Sequence, residues 1–277
     1  MRVATWNLLH GQSIPPTSAS EEGNLAAIAE FISASAIDLI GVQEVDGEQE
    51  RSGMHSQVAV LAKQLGVSSG NYAFARTVIG TPGFSWRHVR KDEAVINPSD
   101  AEPSYGIGLM SKIPVIAWHT LNLRRSLIGL PLIVPGGKDG KSIRFMYVKD
   151  EPRIALAAEL ENGYTVAVTH LSFVPLVNLW QLIRVKRWLA AIGRDSSKLI
   201  LMGDLNLPFN IPIRPLFASK WISLNSQKSY PSWKPAVKFD YILTKKSVQS
   251  AATNAARTDI DLPASGFSDH LPLAADI

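Results

Sequence analysis

Gly203-Asp204-Leu205-Asn206 and, near the end of the chain, Ser268-Asp269-His270 each adjoin a strand-like apolar run, residues 199–202 before the first and 271–277 after the second. Strand ends gathered at one sheet edge would bring carboxylate, amide and imidazole groups together. Carboxylate oxygens hold hard divalent cations, and a neighbouring imidazole moves a proton or bonds a phosphoryl oxygen. The chemistry such a set points to is hydrolysis of a phosphate ester.

Other residues of the right kind occupy similar places. Asn7 follows the apolar stretch that opens the chain, Glu44 comes directly after Ile40-Gly41-Val42-Gln43, and His170 ends Val166-Ala167-Val168-Thr169. Each has an ordinary alternative: an Asn satisfying a turn, a solvent-facing Glu, a hydrogen-bonded core histidine. Asp204 and Asn206 share one side of an extended segment, because alternate residues point the same way; an Asx turn is the plain alternative. Asp269 and His270 diverge within a strand, but at a loop-to-strand junction both reach one site. Asp240, between Phe239 and Tyr241, is costly as a buried charge unless paired, and a histidine is the natural partner. Arg153 offers a planar fork for phosphate oxygens, or is an ordinary surface arginine.

These residues need elements to hold them. Residues 3–9 read as a first strand and 37–42 as a buried strand ending at Gln43-Glu44. Between them, Ser18 to Glu21 has the form of a capping box, opening a helix with Leu25, Ile28 and Ile32 on one face. Val58, Leu61, Ala62 and Leu65 mark a second helix, closed by Gly66. From Tyr72 onward strand follows strand, at 73–79, 106–111, 115–121, 143–148, 154–160 and 165–169, which implies antiparallel pairing. The stretches 81–103 and 124–141, rich in Pro, Gly and charge, read as surface loops or a flap. A helix over 176–192 carries Leu179, Ile183, Lys186 and Ala190 at helical spacing, with Arg184, Lys186 and Arg187 as a solvated basic face. Strands at 199–202, 239–243 and 271–277 complete the order. Both halves open strand-helix-strand, so two sheets packed face to face with helices outside are expected, in one domain over residues 1–277.

Composition narrows the class. The 277 residues are 46% hydrophobic, enough for a substantial core, and the formal charge of +4 suits an anionic substrate without identifying nucleic acid. The absence of cysteine excludes disulfides, thiolate metal sites and a cysteine nucleophile. The opening Met1-Arg2-Val3-Ala4-Thr5-Trp6-Asn7 does not read as a signal peptide, so cytoplasmic residence is the expectation. Lys, Arg, Pro or Gly interrupts every apolar run before the ~20 residues of a membrane span.

Taken together, Trp6-Asn7, Gln43-Glu44, Tyr105-Gly106, Arg153, Thr169-His170, Gly203-Asp204-Leu205-Asn206, Asp240-Tyr241 and Ser268-Asp269-His270 resemble, in order and from end to end, the endonuclease/exonuclease/phosphatase superfamily with its deoxyribonuclease-I-like fold. The resemblance implies an α/β (α+β) four-layer sandwich, two packed mixed β-sheets flanked by helices, with the active site at one edge. It implies a divalent metal, Mg²⁺ with Mn²⁺ as the alternative ion, at Glu44 with Asn7 and Asp269 close by. By the same resemblance Asp204 and Asn206 would position the attacking water, and Asp240 would orient His270 against the scissile phosphate. His170 would contact phosphate or assist the leaving group, and Tyr105 and Arg153 would steady the anion.

The branches of that superfamily divide by substrate. Abasic-site endonucleases typically carry a Tyr-x-Pro-Asn element where Thr169-His170-Leu171-Ser172 stands here, closer to the deoxyribonuclease-like and lipid-phosphodiesterase branches. Inositol-polyphosphate phosphatases carry a Trp-Cys-Asp-Arg element where this chain has Lys238-Phe239-Asp240-Tyr241. The expected substrate is nucleic acid, cleaved by a metal-dependent phosphodiesterase, with Trp86-Arg87-His88-Val89-Arg90-Lys91 offering an aromatic and cations to bases and backbone. A phosphatase or phosphodiesterase of a small phosphorylated metabolite or lipid headgroup is the runner-up. A noncatalytic binding module, on the same fold, comes third.

Overall fold

Runs of Val, Ile, Leu and Ala without polar alternation make strands that are apolar on both faces, as a sheet covered on both sides requires. The computed structural model describes residues 1–14, 21–136, 142–214, 220–245 and 266–277, and two six-stranded sheets carry these runs. The first comprises β1 (Arg2–Asn7), β2 (Leu39–Gly47), β3 (Tyr72–Thr81), β4 (Ser85–His88), β5 (Ser104–Ser111) and the last strand, β14 (Leu273–Asp276), in the order β14-β1-β2-β5-β3-β4. The second comprises β6 (Val115–Leu123), β9 (Arg153–Leu160), β10 (Thr165–His170), β11 (Leu199–Asp204), β12 (Trp221–Ser223) and β13 (Asp240–Lys245), in the order β12-β13-β11-β10-β9-β6. The remaining two strands, β7 (Leu130–Gly136) and β8 (Ser142–Val148), form a separate hairpin.

Both sheets are mixed. β1 and β2 run parallel in one, β10 and β11 in the other, and each parallel pair is bridged by a helix. Helices α1 (Glu21–Ala34) and α2 (Gln57–Gln64) cover the outer face of the first sheet, where Leu25, Ile28, Ile32, Val58 and Leu61 meet Trp6, Ile40 and Val42. Helix α3 (Val177–Ile192) covers the second, with Leu182, Val185 and Leu189 against Ala155, Ala167 and Leu201. Between the sheets lie Val3, Leu39, Ile107 and Leu109 from one side and Leu156, Val166, Val168, Ile200 and Met202 from the other. This is the expected four-layer sandwich of the deoxyribonuclease-I type. Gly41 lets the sheets close: a Cβ there would lie 2.7 Å from Val168 Cγ2 and 2.8 Å from Met202 Cε.

Several local expectations are corrected. β2 does not stop at Glu44 but continues to Gly47 through a bulge, because Gln43 pairs with Ile107 and Val45 with Gly106, leaving Glu44 as the extra residue. The stretch 81–103 contains β4, which folds back on β3, and 124–141 contains β7. In α3 the buried face is Asn178, Gln181, Leu182, Val185, Lys186 and Leu189, while Leu179 and Ile183 are half-buried and Ala190 is exposed. Lys186 is thus not on a solvated face. Its ammonium lies over the Trp221 ring, 5.4 Å from the centroid, and donates to Pro212 O at 2.6 Å, with burial pulling its pKa down to about 7. The capping box beginning at Ser18 lies outside the described residues. No helix among the described residues is long and apolar enough to cross a membrane.

Candidate active site

The sheet registers assemble the site. In the second sheet His170 ends β10 opposite Asp204 at the end of parallel β11, and Asp204 faces Asp240 at the start of antiparallel β13. In the first sheet Asn7 ends β1 opposite Gln43 of parallel β2, with Glu44 at the bulge beyond. Asp269 and His270 precede β14, which pairs with β1, and the Trp6 indole N–H holds this loop by donating to His270 O at 3.0 Å. All ten residues singled out from sequence fall along this one edge of the two sheets.

The backbone is bent to serve it. Glu44 sits at φ 55° and Asn206 at φ 49°, a left-handed conformation that costs a non-glycine residue roughly 1–3 kcal/mol unless its surroundings enforce it. Asp204 and Asn206 therefore do not share a strand face. The chain turns after Asp204, whose Oδ1 accepts the Asn206 N–H at 3.0 Å in an Asx turn. Gly203, at φ 134°, makes the turn possible, since a Cβ there would lie 1.9 Å from Thr169 O on β10. Gly203→Ala is expected to destabilise the protein by roughly 2–5 kcal/mol through strain and backbone clash, read as a lower urea midpoint at unchanged slope.

Hydrogen bonds join the two halves. Asn7 Nδ2 donates to Glu44 Oε1 at 2.8 Å and to Asp204 Oδ2 at 3.2 Å, while its Oδ1 accepts the Leu9 N–H at 3.1 Å. Asn7 thus satisfies a turn and bridges two carboxylates at once. Asp204 Oδ2 also lies 3.6 Å from His170 Nε2 and 3.7 Å from His270 Nε2. Asn206 Nδ2 donates to Leu171 O at 3.0 Å, which fixes the amide orientation, and the same nitrogen faces His170 Nε2 at 3.2 Å. His170 Nε2 is therefore the acceptor and its proton resides on Nδ1, 4.0 Å from Glu44 Oε1. Burial, with Arg153 and His270 nearby, holds the His170 pKa well below its ordinary value, consistent with a neutral ring.

His270 has the opposite character. Its Nδ1 donates to Asp240 Oδ2 at 2.7 Å, and the carboxylates of Asp240 and Asp204 outweigh burial to hold its pKa well above the ordinary value. Asp240 is fully buried and its Oδ2 also accepts the Ser229 hydroxyl at 2.5 Å. The Tyr230 ring packs on the imidazole at 4.9 Å between centroids. Burial, helped by Asp240 and opposed by His270, raises Asp204 to about 7, and burial raises Asp269 to about 6. Tyr105 is buried against Glu44, and burial together with that carboxylate raises its phenol well above the usual range. Arg153 lies buried 3.7 Å from Asp150, and its Nε has no partner among the described residues.

The donors suit a hard cation. Glu44 and Asp269 offer carboxylate oxygens, whereas Asn7 turns its Nδ2 toward Glu44 and Asp204 and its Oδ1 toward the Leu9 N–H, so its oxygen would reach a cation only with the amide reoriented. Asp204, Asp240 and His270 also bring one donor each within 4.8 Å of one another. In that trio, however, Asp240 is already committed to His270 and Ser229, which fits a histidine-orienting role better than metal ligation.

Sequence reasoning missed Ser229, Tyr230 and Glu151. Ser229-Tyr230-Pro231-Ser232-Trp233 was a legible polar-aromatic segment, and Asp150-Glu151-Pro152 a legible acidic lead-in to Arg153. The expected nucleic-acid segment is largely neutralised: Arg87 pairs with Glu93 and Glu102, and Arg90 with Asp92 and Glu93.

The site opens into a cleft of about 980 Å³ whose walls include Phe173, Leu176, Leu179, Phe209, Ile211 and Phe239. A family model described as "Endonuclease/Exonuclease/phosphatase family" matches residues 4–270. No curated protein sequence matches the chain. Among solved structures, it is similar to the endonuclease/exonuclease/phosphatase from Beutenbergia cavernae DSM 12333, at 21% identity and TM-score 0.57 over 99% of this chain and 70% of that one. Mannosyl-6-phosphatase Bt3783 from Bacteroides thetaiotaomicron VPI-5482 matches at 14% identity and TM-score 0.57, over 100% and 98%. ANGEL2, a 2',3'-cyclic phosphatase, matches at 13% identity and TM-score 0.56, over 99% and 93%.

Proposed function

Because the chain belongs to the endonuclease/exonuclease/phosphatase family, we propose that it is a divalent-metal-dependent hydrolase of phosphate esters, acting by attack of a water deprotonated at Asp204. The observation that carries this reading is the buried Asp240–His270 pair set against Asp204 in one open cleft with Tyr105 and Arg153.

In this scheme Tyr105 and Arg153 receive the phosphate, the guanidinium fork and phenol bonding its nonbridging oxygens. Asp204, whose carboxylate is raised to about 7, accepts the proton of a water placed in line with the leaving oxygen, as a base poised near neutral pH should. Asn7 and Asn206 hold that geometry, one by bridging Asp204 to Glu44 and the other by fixing His170. The new P–O bond forms as the bond to the leaving oxygen breaks, the released alkoxide takes a proton from water in the open cleft, and Asp204 returns its own proton to solvent. His270, cationic because Asp240 holds it so, donates from Nε2 to a phosphoryl oxygen on which charge accumulates. His170 stands beside the leaving group with its proton on Nδ1. Glu44 and Asp269, with Asn7 close by, are the residues that would hold Mg²⁺ or Mn²⁺, whose contribution when bound is Lewis-acid polarisation of a phosphoryl oxygen.

The apolar walls of the cleft favour a phosphate ester bearing an apolar substituent, and so the lipid part of the runner-up class of small phosphorylated metabolites and lipid headgroups, over a bare sugar-phosphate backbone. Nucleic acid is the second reading, supported by Arg125 over the Trp86 ring at 5.7 Å and Arg184 over Trp180 at 5.3 Å.

A panel of bis-aryl phosphodiester, short-chain lipid phosphodiester, phosphomonoester, plasmid DNA and RNA, with Mg²⁺, Mn²⁺ or chelator, tests both parts. Chelator-sensitive turnover of the apolar diesters supports the proposal, and cleavage of DNA or RNA alone moves the substrate to the second reading. No turnover on any substrate overturns the proposal. Glu44→Ala is expected to raise the Mg²⁺ needed for half-maximal rate by about 10- to 100-fold; an unchanged Mg²⁺ titration removes Glu44 from the metal set.

A further inference from the structure

The cleft does not end at the reacting groups. Arg153 lines both it and a second cleft of about 550 Å³ that holds Arg124, Arg125, Arg184 and His88 and, among the described residues, no Asp or Glu. Arg125 and Leu127 in turn line a third, of about 520 Å³, with Phe84, Ile128, Tyr147, Lys149 and one acid, Asp150, whose Oδ2 accepts the Ser126 N–H and the Ser172 hydroxyl. The three hollows form one continuous face around the mouth of the site.

Two features of this face are not what folding alone selects. Its large apolar side chains stand in water: Leu127 is 93% exposed, Phe84 88%, Leu176 78% and Phe209 77%. Scattered single apolar residues need no explanation, but a group of them around one opening does. Leu176 and Phe209 are moreover held at φ 68° and 56°, so strained backbone presents apolar side chains to solvent at the rim. Six of the eleven non-glycine residues with positive φ among those described line this single cleft: Leu9, His10, Glu44, Leu176, Asn206 and Phe209. The second feature is charge. Arg124 and Lys149 have no ion-pair partner among the described residues, and Arg125 and Arg184 have only their tryptophans. Arg87 by contrast is matched by Glu93 and Glu102, and Arg51 by Asp46; Lys63, Lys91, Lys112 and Arg187 also lack an ion pair among the described residues, so what sets this face apart is the gathering of its arginines in one cleft.

We propose that this face docks the protein on a lipid bilayer carrying anionic headgroups, with Phe84, Leu127, Ile128, Leu176 and Phe209 entering the interface and Arg124, Arg125, Arg184 and Lys149 meeting lipid phosphates. Apolar tips among unpaired cations are the signature of a peripheral membrane surface. Single-stranded nucleic acid fits less well, because Leu127, Ile128 and Leu176 are aliphatic and offer no ring for a base to stack on. The inference rests on the phosphoesterase reading and deepens it: the cleft mouth would lie at the membrane, where a lipid phosphoester is presented headgroup first.

The test is co-sedimentation with vesicles of equal parts phosphatidylcholine and phosphatidylglycerol, with vesicles of phosphatidylcholine alone, and competition by a single-stranded oligonucleotide. The intact protein is expected to partition onto the anionic vesicles. Leu127→Asp and Ile128→Asp each lower that partition roughly tenfold, and Arg124→Glu and Arg125→Glu each lower it at least about fivefold. None of the four changes turnover of the soluble bis-aryl diester or the thermal midpoint. Absence of vesicle binding, binding untouched by the aspartate substitutions, or displacement by the oligonucleotide at stoichiometric amounts overturns the proposal. Normal turnover of the soluble diester with no vesicle binding sinks the docking surface alone, whereas absent turnover sinks the phosphoesterase reading itself.

Discussion

Asp204→Asn is expected to lower kcat by roughly 10²- to 10⁴-fold with little change in stability. The amide keeps the shape of the carboxylate and still accepts the Asn206 N–H that Oδ1 accepts at 3.0 Å, so the Asx turn survives. What disappears is the proton acceptor. A group raised to about 7 by burial and by Asp240 is half-ionised near neutrality, and its loss should also flatten the acidic limb of the pH–rate profile. A thousandfold drop corresponds to about 4 kcal/mol of transition-state stabilisation. The measurement is kcat and KM across pH on the soluble diester, with a urea melt as control. A kcat within about threefold of the parent would remove Asp204 from the base role.

Asp240→Asn tests the other half of the site. The Asp240 carboxylate accepts from His270 Nδ1 at 2.7 Å and is among the charges that keep that imidazole protonated well above its ordinary pKa. Replacing it with a neutral amide removes the charge while keeping a carbonyl oxygen that can still accept from Nδ1. The sign follows directly: a pKa raised by a neighbouring anion falls when the anion is removed, so His270 loses its proton at lower pH and the alkaline limb moves down. At neutral pH kcat should drop by roughly 10²- to 10⁴-fold, with part of the loss recovered as pH falls. A drop of equal size at every pH would mean that Asp240 acts by packing alone. An NMR titration of the His270 ring follows the same shift without reference to turnover.

The sequence laid out the site better than it laid out its surroundings. Asp204, Asp240, Asp269 and His270 were legible as members of a set whose order along the chain resembles a known family, since each taken alone has an ordinary structural use, although a buried aspartate does demand a partner. The strands were legible for the same reason that their faces were not. Runs such as Leu199-Ile200-Leu201-Met202 are apolar on both sides, so a period of two gives no hint of which side meets the other sheet and which meets a helix. Lys186 was misplaced because spacing records where a residue sits on a helix, and its long stem allowed a charged end to cross apolar surface and reach Pro212 O. The β4 strand and the β7–β8 hairpin escaped because their Pro, Gly and charge content reads as loop.

What the chain determined by itself is the inventory: which groups stand at strand ends, that they are hard oxygen donors and imidazoles, and that the chemistry they suit is phosphoester hydrolysis. What only the tertiary structure decided is the state of each group. His170 and His270 each adjoin an apolar run in sequence, yet one is neutral because burial and Arg153 surround it and the other is cationic because Asp240 and Asp204 do. Glu44 and Asn206 look extended on paper, but the bulge in β2 and the turn after β11 rotate them into the site. Charge state and direction depend on neighbours that stand tens of residues away in sequence, such as Asp240 for His270 and Asn206 for His170, and only the tertiary packing supplies those neighbours.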